Sequence, residues 1–360
     1  MICKSVSFRD FRNIESAKIE LSDRVTVLNG QNGQGKTNIL EGIYFCSGGR
    51  SFRTVHENEL VRFEKDLAQI DMTFTEGKRD SVISFKLLPK TNKRFCKIND
   101  VPITRLSEIV GRFRTVLFCP EHLSIVKDGP AVRRRFLDLA LSQNDSEYLR
   151  SLQKYNSLLA QRNALIKMAR DRKNDSIFYD GEGPWSIQLA SEAEIISAKR
   201  AKYTDKLSEH VGIILSDMTG GRERSNLVYQ TPKSKEEYLT LLSENREREL
   251  KMGCTLYGTH KDDIAVFLNG KEARSFASQG QQRSVALAMK IAEGEICKEL
   301  SGSYPVFLFD DILSELDEGR RSYLISGMTD RQVIITSCDN IDIPCRLYSV
   351  SGGCVRRVSD

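Results

Sequence analysis

Hydrophobic positions follow two different spacings along the chain, and the spacing separates strand-forming from helix-forming regions. Residues 5–8 and 17–21 alternate apolar and polar side chains, which is typical of strands with one buried face. Residues 69–74 and 81–87 repeat this alternation around a short turn at 76–78. We therefore predict a β-meander over residues 66–100, packed beside the strand that precedes residue 30.

Helical spacing takes over in the middle of the chain. Residues 146–173 carry apolar side chains at heptad-like intervals, with Arg162 interrupting the stripe. Residues 181–184, Gly-Glu-Gly-Pro, break the pattern, and 185 to about 215 form the return helix. Two antiparallel helices of about 40 Å each would make a short arm with a charged tip. Two ordinary core helices remain the alternative.

Short apolar runs predict further, buried strands. They lie at 24–28, 116–118, 264–268, 306–309 and 332–337. Together with the helices, they indicate an α/β protein.

Composition narrows the class of protein. The chain has 360 residues, of which 40% are hydrophobic and 29% charged, and its formal net charge is +5. No apolar run reaches the roughly 18 residues needed to cross a bilayer. The nine cysteines are scattered and form no C-x-x-C pair. We therefore expect a cytoplasmic protein with reduced thiols, no membrane span and no structural zinc site.

The first candidate site is a full match to the phosphate-binding pattern G-x-x-x-x-G-K-[ST] between a predicted strand and a predicted helix. Its backbone N–H groups and the helix dipole would hold phosphates, the lysine would reach the β- and γ-phosphates, and the threonine would bind Mg²⁺. The candidate ATP-binding residues are Gly30, Gln31, Asn32, Gly33, Gln34, Gly35, Lys36 and Thr37.

A second candidate site closes the strand at 306–309. Asp310 fits a Mg²⁺ ligand, and Asp311 fits the group that orients or deprotonates the attacking water. For this, we expect the strand to lie beside the strand at 24–28. Lys36, Asp310 and Asp311 are the candidate catalytic residues.

The segments around this acidic strand resemble the ATP-binding cassette (ABC) superfamily in their order. A signature-like loop, Ser278, Gln279 and Gly280, precedes a helix, and a loop ending in Asp317 follows the strand. Gln279 and Asp311 both depart from the transporter pattern. In that superfamily the signature loop serves the nucleotide of a second subunit, so the resemblance implies that Ser278, Gln279, Gly280 and Asp317 complete the ATP site across a homodimer.

Several motifs together resemble the RecF family of bacterial recombination ATPases over essentially the full length. They lie at 11–13, 32–41, 120–123, 129–130, 133–138, 258–263, 278–283 and 314–317, with Thr259 and Lys261 as departures. The resemblance implies an ABC-type P-loop ATPase head, residues 1–140 and 255–360. It also implies a second, helical lobe, residues 141–254, which carries the short antiparallel arm.

The same resemblance implies a function. Such a protein would bind ATP and Mg²⁺, dimerise on double-stranded DNA and at single-strand/duplex junctions, and act with RecR and RecO in recombinase loading during gap repair. Weak, DNA-dependent hydrolysis would release it. An ATPase subunit of a transporter, a small-molecule kinase and a nucleotide-gated clamp without turnover are the competing classes.

Two arginine clusters remain open. Arg50 and Arg53 lie in a loop that could approach nucleotide phosphates or a nucleic acid, or could be solvated. The triplet at 133–135 could contact nucleic acid or form internal ion pairs.

Overall fold

Strands dominate the two ends of the chain and helices dominate its middle. The computed structural model describes residues 1–91, 93–230, 232–327, 330–339, 341 and 343–359. Its strands are β1 (Ile2–Phe11), β2 (Ile14–Glu20), β3 (Val25–Asn29), β4 (Ala68–Glu76), β5 (Arg79–Leu88), β6 (Lys93–Ile98), β7 (Val101–Ile103), β8 (Thr115–Phe118), β9 (Ser225–Tyr229), β10 (Ile264–Leu268), β11 (Lys271–Glu272), β12 (Val306–Phe309), β13 (Val333–Ser337), β14 (Arg346–Ser351) and β15 (Cys354–Ser359). Its α-helices are α1 (Lys36–Gly48), α2 (Pro130–Asn144), α3 (Ser146–Asp171), α4 (Ser176–Gly181), α5 (Gly183–Thr219), α6 (Lys235–Glu244), α7 (Arg246–Met252), α8 (Ala273–Phe276), α9 (Gln279–Ser301) and α10 (Glu318–Ser326).

The chain divides into two compact units. Unit 1 comprises Met1–Leu123 and Lys290–Asp360, and unit 2 comprises Ser124–Met289. Residues 124–140 and 255–289 thus join the unit of the helix pair, whereas the sequence assigns them to the ATPase head. The reason is that α2 packs against α3 and α5, and β10 pairs with β9.

Unit 1 contains two sheets. The antiparallel sheet has the order β2-β1-β4-β5-β6-β7 and includes the predicted meander. The other has the order β15-β14-β3-β13-β12-β8, in which all neighbours except β15 and β14 are parallel. Helix α1 packs against strands of both sheets and buries Ile39, Leu40 and Ile43 completely. Phe45 of α1 meets Phe85 of β5 edge-on at 4.8 Å, so α1 joins the two sheets through one core.

The order of the parallel strands corrects one expectation. β12, which ends before Asp310, does not lie beside β3, because β13 is inserted between them. All three strands run parallel, so their carboxyl ends still meet at one edge of the sheet. The acidic residue therefore reaches the P-loop across an intervening strand.

Unit 2 is built on the antiparallel pair α3 and α5. Lys199 pairs with Asp145, and Lys154 pairs with Glu192, so the contacts advance along α3 as they retreat along α5. The predicted helix pair is confirmed, and Pro184 lies in the first turn of α5. β9 and α6 also pack on α5. The highly charged stretch 221–250 thus contains β9 as well as α6 and the start of α7.

Asn269 and Gly270 form a hairpin turn between β10 and β11, with both residues at positive φ. No helix in the described part of the chain is long and apolar enough to cross a membrane.

Candidate nucleotide-binding site

The loop between β3 and α1 can be built only with glycine at two positions. A Cβ on Gly30 would lie 2.2 Å from the carbonyl oxygen of Val350, and one on Gly35 would lie 2.6 Å from Oδ1 of Asn13. Gly35 also has φ of 112°. α1 begins at Lys36, so the unpaired N–H groups of its first turn and its positive dipole end face this loop.

Lys36 lies against the loop that it follows. Its Nζ donates to the carbonyl oxygens of Gly30 at 2.6 Å and Gln31 at 3.1 Å, and it lies 3.2 Å from Sγ of Cys338. The side chain is almost fully buried. The ammonium is therefore fixed beside the backbone that would surround a phosphate.

Thr37 and Asp310 meet although 273 positions separate them. Thr37 Oγ1 donates to Asp310 Oδ1 at 2.8 Å, and Thr336 Oγ1 donates to the same oxygen at 2.9 Å. Burial raises the pKa of the Asp310 carboxyl, an effect that the two hydroxyl donors partly oppose. A buried carboxylate held by neutral hydroxyls beside a P-loop provides the oxygen ligands that Mg²⁺ prefers.

Asp311 occupies the left-handed region at φ 47°. Its backbone N–H donates to Thr336 Oγ1 at 2.8 Å, which anchors this conformation. Such a conformation is uncommon for a residue other than glycine and is often found at functional sites. Asp311 is only partly buried, at the same strand end as Asp310.

Two turns brace the P-loop, and sequence reasoning did not assign them this role. Asn13, in the β1–β2 turn, donates to the Gln34 carbonyl at 3.1 Å and accepts from Asn38 at 2.8 Å. Gly353, in the β14–β15 turn, donates to the same carbonyl at 2.9 Å. The recognised segment 11–13 was a signal for Asn13, but nothing local marks the glycine.

Glu41 is a fully buried acid on α1 that forms ion pairs with two arginines. Arg12 donates to both of its carboxylate oxygens, at 2.8 and 2.7 Å, and Ser51 donates to one of them. Arg53 lies 3.6 Å from Glu41 and donates to Asn38 at 2.8 Å. The loop at 50–53 is therefore tied to α1 through Arg53, whereas Arg50 is exposed.

The signature-like residues lie on the surface of unit 2. Ser278 is exposed and precedes α9. Its N–H donates to Gln281 Oε1 at 2.8 Å, and the Gln281 N–H donates to Ser278 Oγ at 3.3 Å. This reciprocal cap fixes the first turn of a long helix. Gln279 is exposed and Gly280 is half-buried beside it.

Asp317, in unit 1, caps α10. It accepts from the Arg320 N–H at 2.9 Å and is exposed. Within unit 1 the fold thus brings Lys36, Thr37, Asp310 and Asp311 into one neighbourhood.

The arginine triplet of α2 has an internal role. Arg133 is buried and donates to both carboxylate oxygens of Asp263, at 2.7 and 2.8 Å. Arg134 donates to the Asp262 carbonyl at 2.7 Å, and Arg135 is exposed. Internal pairing accounts for Arg133 and Arg134.

Known proteins are similar to this chain in sequence and in fold. The family described as RecF/RecN/SMC N terminal domain matches residues 2–343. The DNA replication and repair protein RecF of Clostridium beijerinckii is 36% identical over 365 residues, covering 98% of both chains.

Solved structures of other proteins are similar to this chain in fold. One described as the recombination mediator protein RecF-ATPrS in the RecFOR pathway superposes with a TM-score of 0.91 at 30% identity, covering 99% of this chain and 98% of that one. The Smc head domain of Pyrococcus furiosus with an extended coiled coil has a TM-score of 0.58 at 18% identity and covers 99% of this chain and 96% of that one, which indicates a shared fold. The predicted ABC-type ATPase head is thereby confirmed, and the chain belongs to the RecF family of DNA replication and repair proteins.

Proposed function

We propose that this chain is an ATP-dependent DNA-binding protein of recombinational gap repair, which dimerises when ATP is bound. The observation that carries the proposal is the 2.8 Å hydrogen bond from Thr37 to Asp310, which joins the P-loop to the end of β12. Relatives named for DNA repair, and one solved with ATPrS, support the same function.

In this proposal, residues 30–37 hold the triphosphate. Backbone N–H groups of the loop and of the first turn of α1 bind phosphate oxygens, and Lys36 supplies the positive charge. Asn13 and Gly353 keep the loop in shape through the Gln34 carbonyl.

Thr37 and Asp310 would hold Mg²⁺, because their oxygens already lie within hydrogen-bond distance of each other. When bound, the ion supplies neutralising charge at the phosphates. Asp311 orients or deprotonates the attacking water, giving weak hydrolysis to ADP and phosphate.

Ser278, Gln279 and Gly280 serve the ATP of a second copy, and Asp317 lines the same junction. Ser278 is exposed at the start of α9, where a partner can reach it. ATP thereby acts as a ligand between subunits, and loss of its γ-phosphate removes the contact that favours the dimer. The dimer binds DNA at gaps in the cytoplasm and acts with RecR and RecO.

The test is the rate of phosphate release from ATP with and without gapped DNA. We expect gapped DNA to stimulate release, and we expect Asp311→Asn to lose turnover while it retains ATP binding. Asp23→Asn, at an exposed acid outside this site, is the matched control. A rate of ATP turnover that DNA leaves unchanged and a small-molecule acceptor increases would instead support a kinase.

A further inference from the structure

The antiparallel sheet of unit 1 has one buried face and one outer face that carries exposed side chains. Its inner face packs into the core through residues such as Val6, Ile70 and Phe85. Its outer face is polar, because successive side chains of a strand point to opposite sides.

Strand register defines that outer face, because directly paired residues share a side of the sheet. One row across the strands is Ser16, Arg9, Gln69, Lys86 and Phe95. The adjacent row is Lys18, Ser7, Asp71, Ser84, Lys97 and Pro102. Small hydroxyl and amide side chains therefore lie between the basic ones.

Its cations are exposed and not neutralised by ion pairs. They are Arg9, Lys18, Lys86, Lys93 and Lys97. None of these five lies within 4 Å of a carboxylate oxygen of another described residue, whereas Lys4 on the same sheet pairs with Asp80 at 2.8 Å. From β2 to β6 the cations span four interstrand spacings, or about 19 Å. Two acids share this face: Asp71 is half-buried and accepts from Gln69 at 2.7 Å, and Glu20 is exposed on the edge strand β2.

Phe95 lies among these cations with 56% of its surface exposed. Lys86 is its direct cross-strand partner, and Lys93 and Lys97 flank it two residues away on β6. The ring is not among the side chains that form the core of unit 1. An aromatic ring surrounded by cations on an open antiparallel sheet face is how many proteins hold single-stranded nucleic acid.

We infer that this outer face binds single-stranded DNA, with its phosphates on the lysines and an unpaired base stacked on Phe95. The charge of the face complements a polyanion, and a base is available for stacking only where it is unpaired. The inference rests on the proposed function and specifies it further, because it places the unpaired side of a junction on this sheet.

The test measures binding of the full-length protein to a fluorescent oligo-dT strand and to a blunt duplex across a range of salt concentrations. Phe95→Ala should weaken oligo-dT binding about tenfold and leave duplex binding unchanged. The double variant Lys86→Ala/Lys97→Ala should reduce the slope of log affinity against log salt by about 1.4 for oligo-dT.

The matched control removes the same charge elsewhere in the sheet. Lys78→Ala/Arg79→Ala changes two exposed cations at the β4–β5 turn, about 23 Å along β5 from Lys86, and should leave oligo-dT binding unchanged. ATP binding, measured on every variant, reports that unit 1 is folded.

Several outcomes would overturn the inference. They are unchanged oligo-dT affinity in both test variants, an equal loss in the control, or an equal loss of duplex binding in Phe95→Ala. Failure of the unmodified protein to bind any DNA would instead contradict the proposed function.

Discussion

The core of unit 2 and the nucleotide site of unit 1 both bury charged side chains, but they surround these charges with different partners. In unit 2, Arg162 is fully buried and faces Glu249 at 2.7 Å and Glu182 at 3.1 Å, with hydroxyls of Ser186 and Thr255 completing its shell. In unit 1, Lys36 contacts main-chain carbonyls and Asp310 accepts from threonine hydroxyls.

The two arrangements differ in whether the fold itself neutralises the buried charge. A cation surrounded by carboxylates and hydroxyls is neutralised within the fold, and removing it leaves buried acids without a partner. A cation and a carboxylate held mainly by neutral groups keep their charge available for a ligand. Burial alone does not distinguish the two cases, since Lys36 and Arg162 are both buried.

The largest expected effect is on nucleotide binding. Lys36→Ala should weaken ATP binding on the order of 1,000-fold, because a buried charge contact to phosphate is lost, and it should abolish ATP-dependent dimerisation. Calorimetric titration with ATP measures the affinity, and Lys4→Ala, at an exposed lysine, is the control. An unchanged affinity would refute the role given to Lys36.

The next effect is on stability. Arg162→Ala should lower the free energy of unfolding by about 3–5 kcal/mol, since it removes the cation that pairs with the buried Glu249 and leaves Glu182 with Arg246 alone. Urea unfolding measures the change. Lys154→Ala, which breaks the more exposed pair with Glu192, should cost less than about 1 kcal/mol. If the two variants proved equally stable, the contrast between the units would lose its energetic basis.

The smallest effect is a pH dependence in unit 2. His260 donates from Nε2 to the Thr255 carbonyl and accepts at Nδ1 from Tyr155, and burial lowers the pKa of its ring to about 4. The folded state therefore holds the ring neutral down to about pH 4, while the unfolded chain protonates below about 6.5. The stability contributed by His260 is complete above pH 6.5 and is lost as the pH falls toward 4.

Urea unfolding at pH 7 and pH 4.5 checks this dependence. The unmodified protein should lose about 2–3 kcal/mol more than His260→Gln over that interval. His56→Gln, which replaces an exposed histidine, is the control. Parallel pH curves for all three proteins would show that His260 is not held neutral.

Local pattern was enough to predict the P-loop, the buried strands and the helix pair. These features depend on spacing within a few turns or strands, as in the glycines before Lys36 or the apolar residues of α5 at Leu189, Ile196 and Tyr203. The position of Asp310 was also predictable, because the acid directly follows an apolar strand.

The sequence could not identify the partners that buried charged side chains find far along the chain. Arg162 breaks a heptad stripe, and nothing near it reveals that Glu249, 87 positions away, neutralises it. The same holds for Arg133 and Asp263. The insertion of β13 between β3 and β12 likewise depends on strand pairing over hundreds of residues.

The most direct test of the central claim is a sedimentation experiment that mixes two variants in the presence of ATP. Lys36→Ala and Ser278→Arg should each stay monomeric alone. Mixed, they should form a dimer, because one of its two sites combines Lys36 of one copy with Ser278 of the other. A mixture that remains monomeric at concentrations where the unmodified protein dimerises, or a Ser278→Arg variant that dimerises alone, would contradict an ATP site shared between two copies.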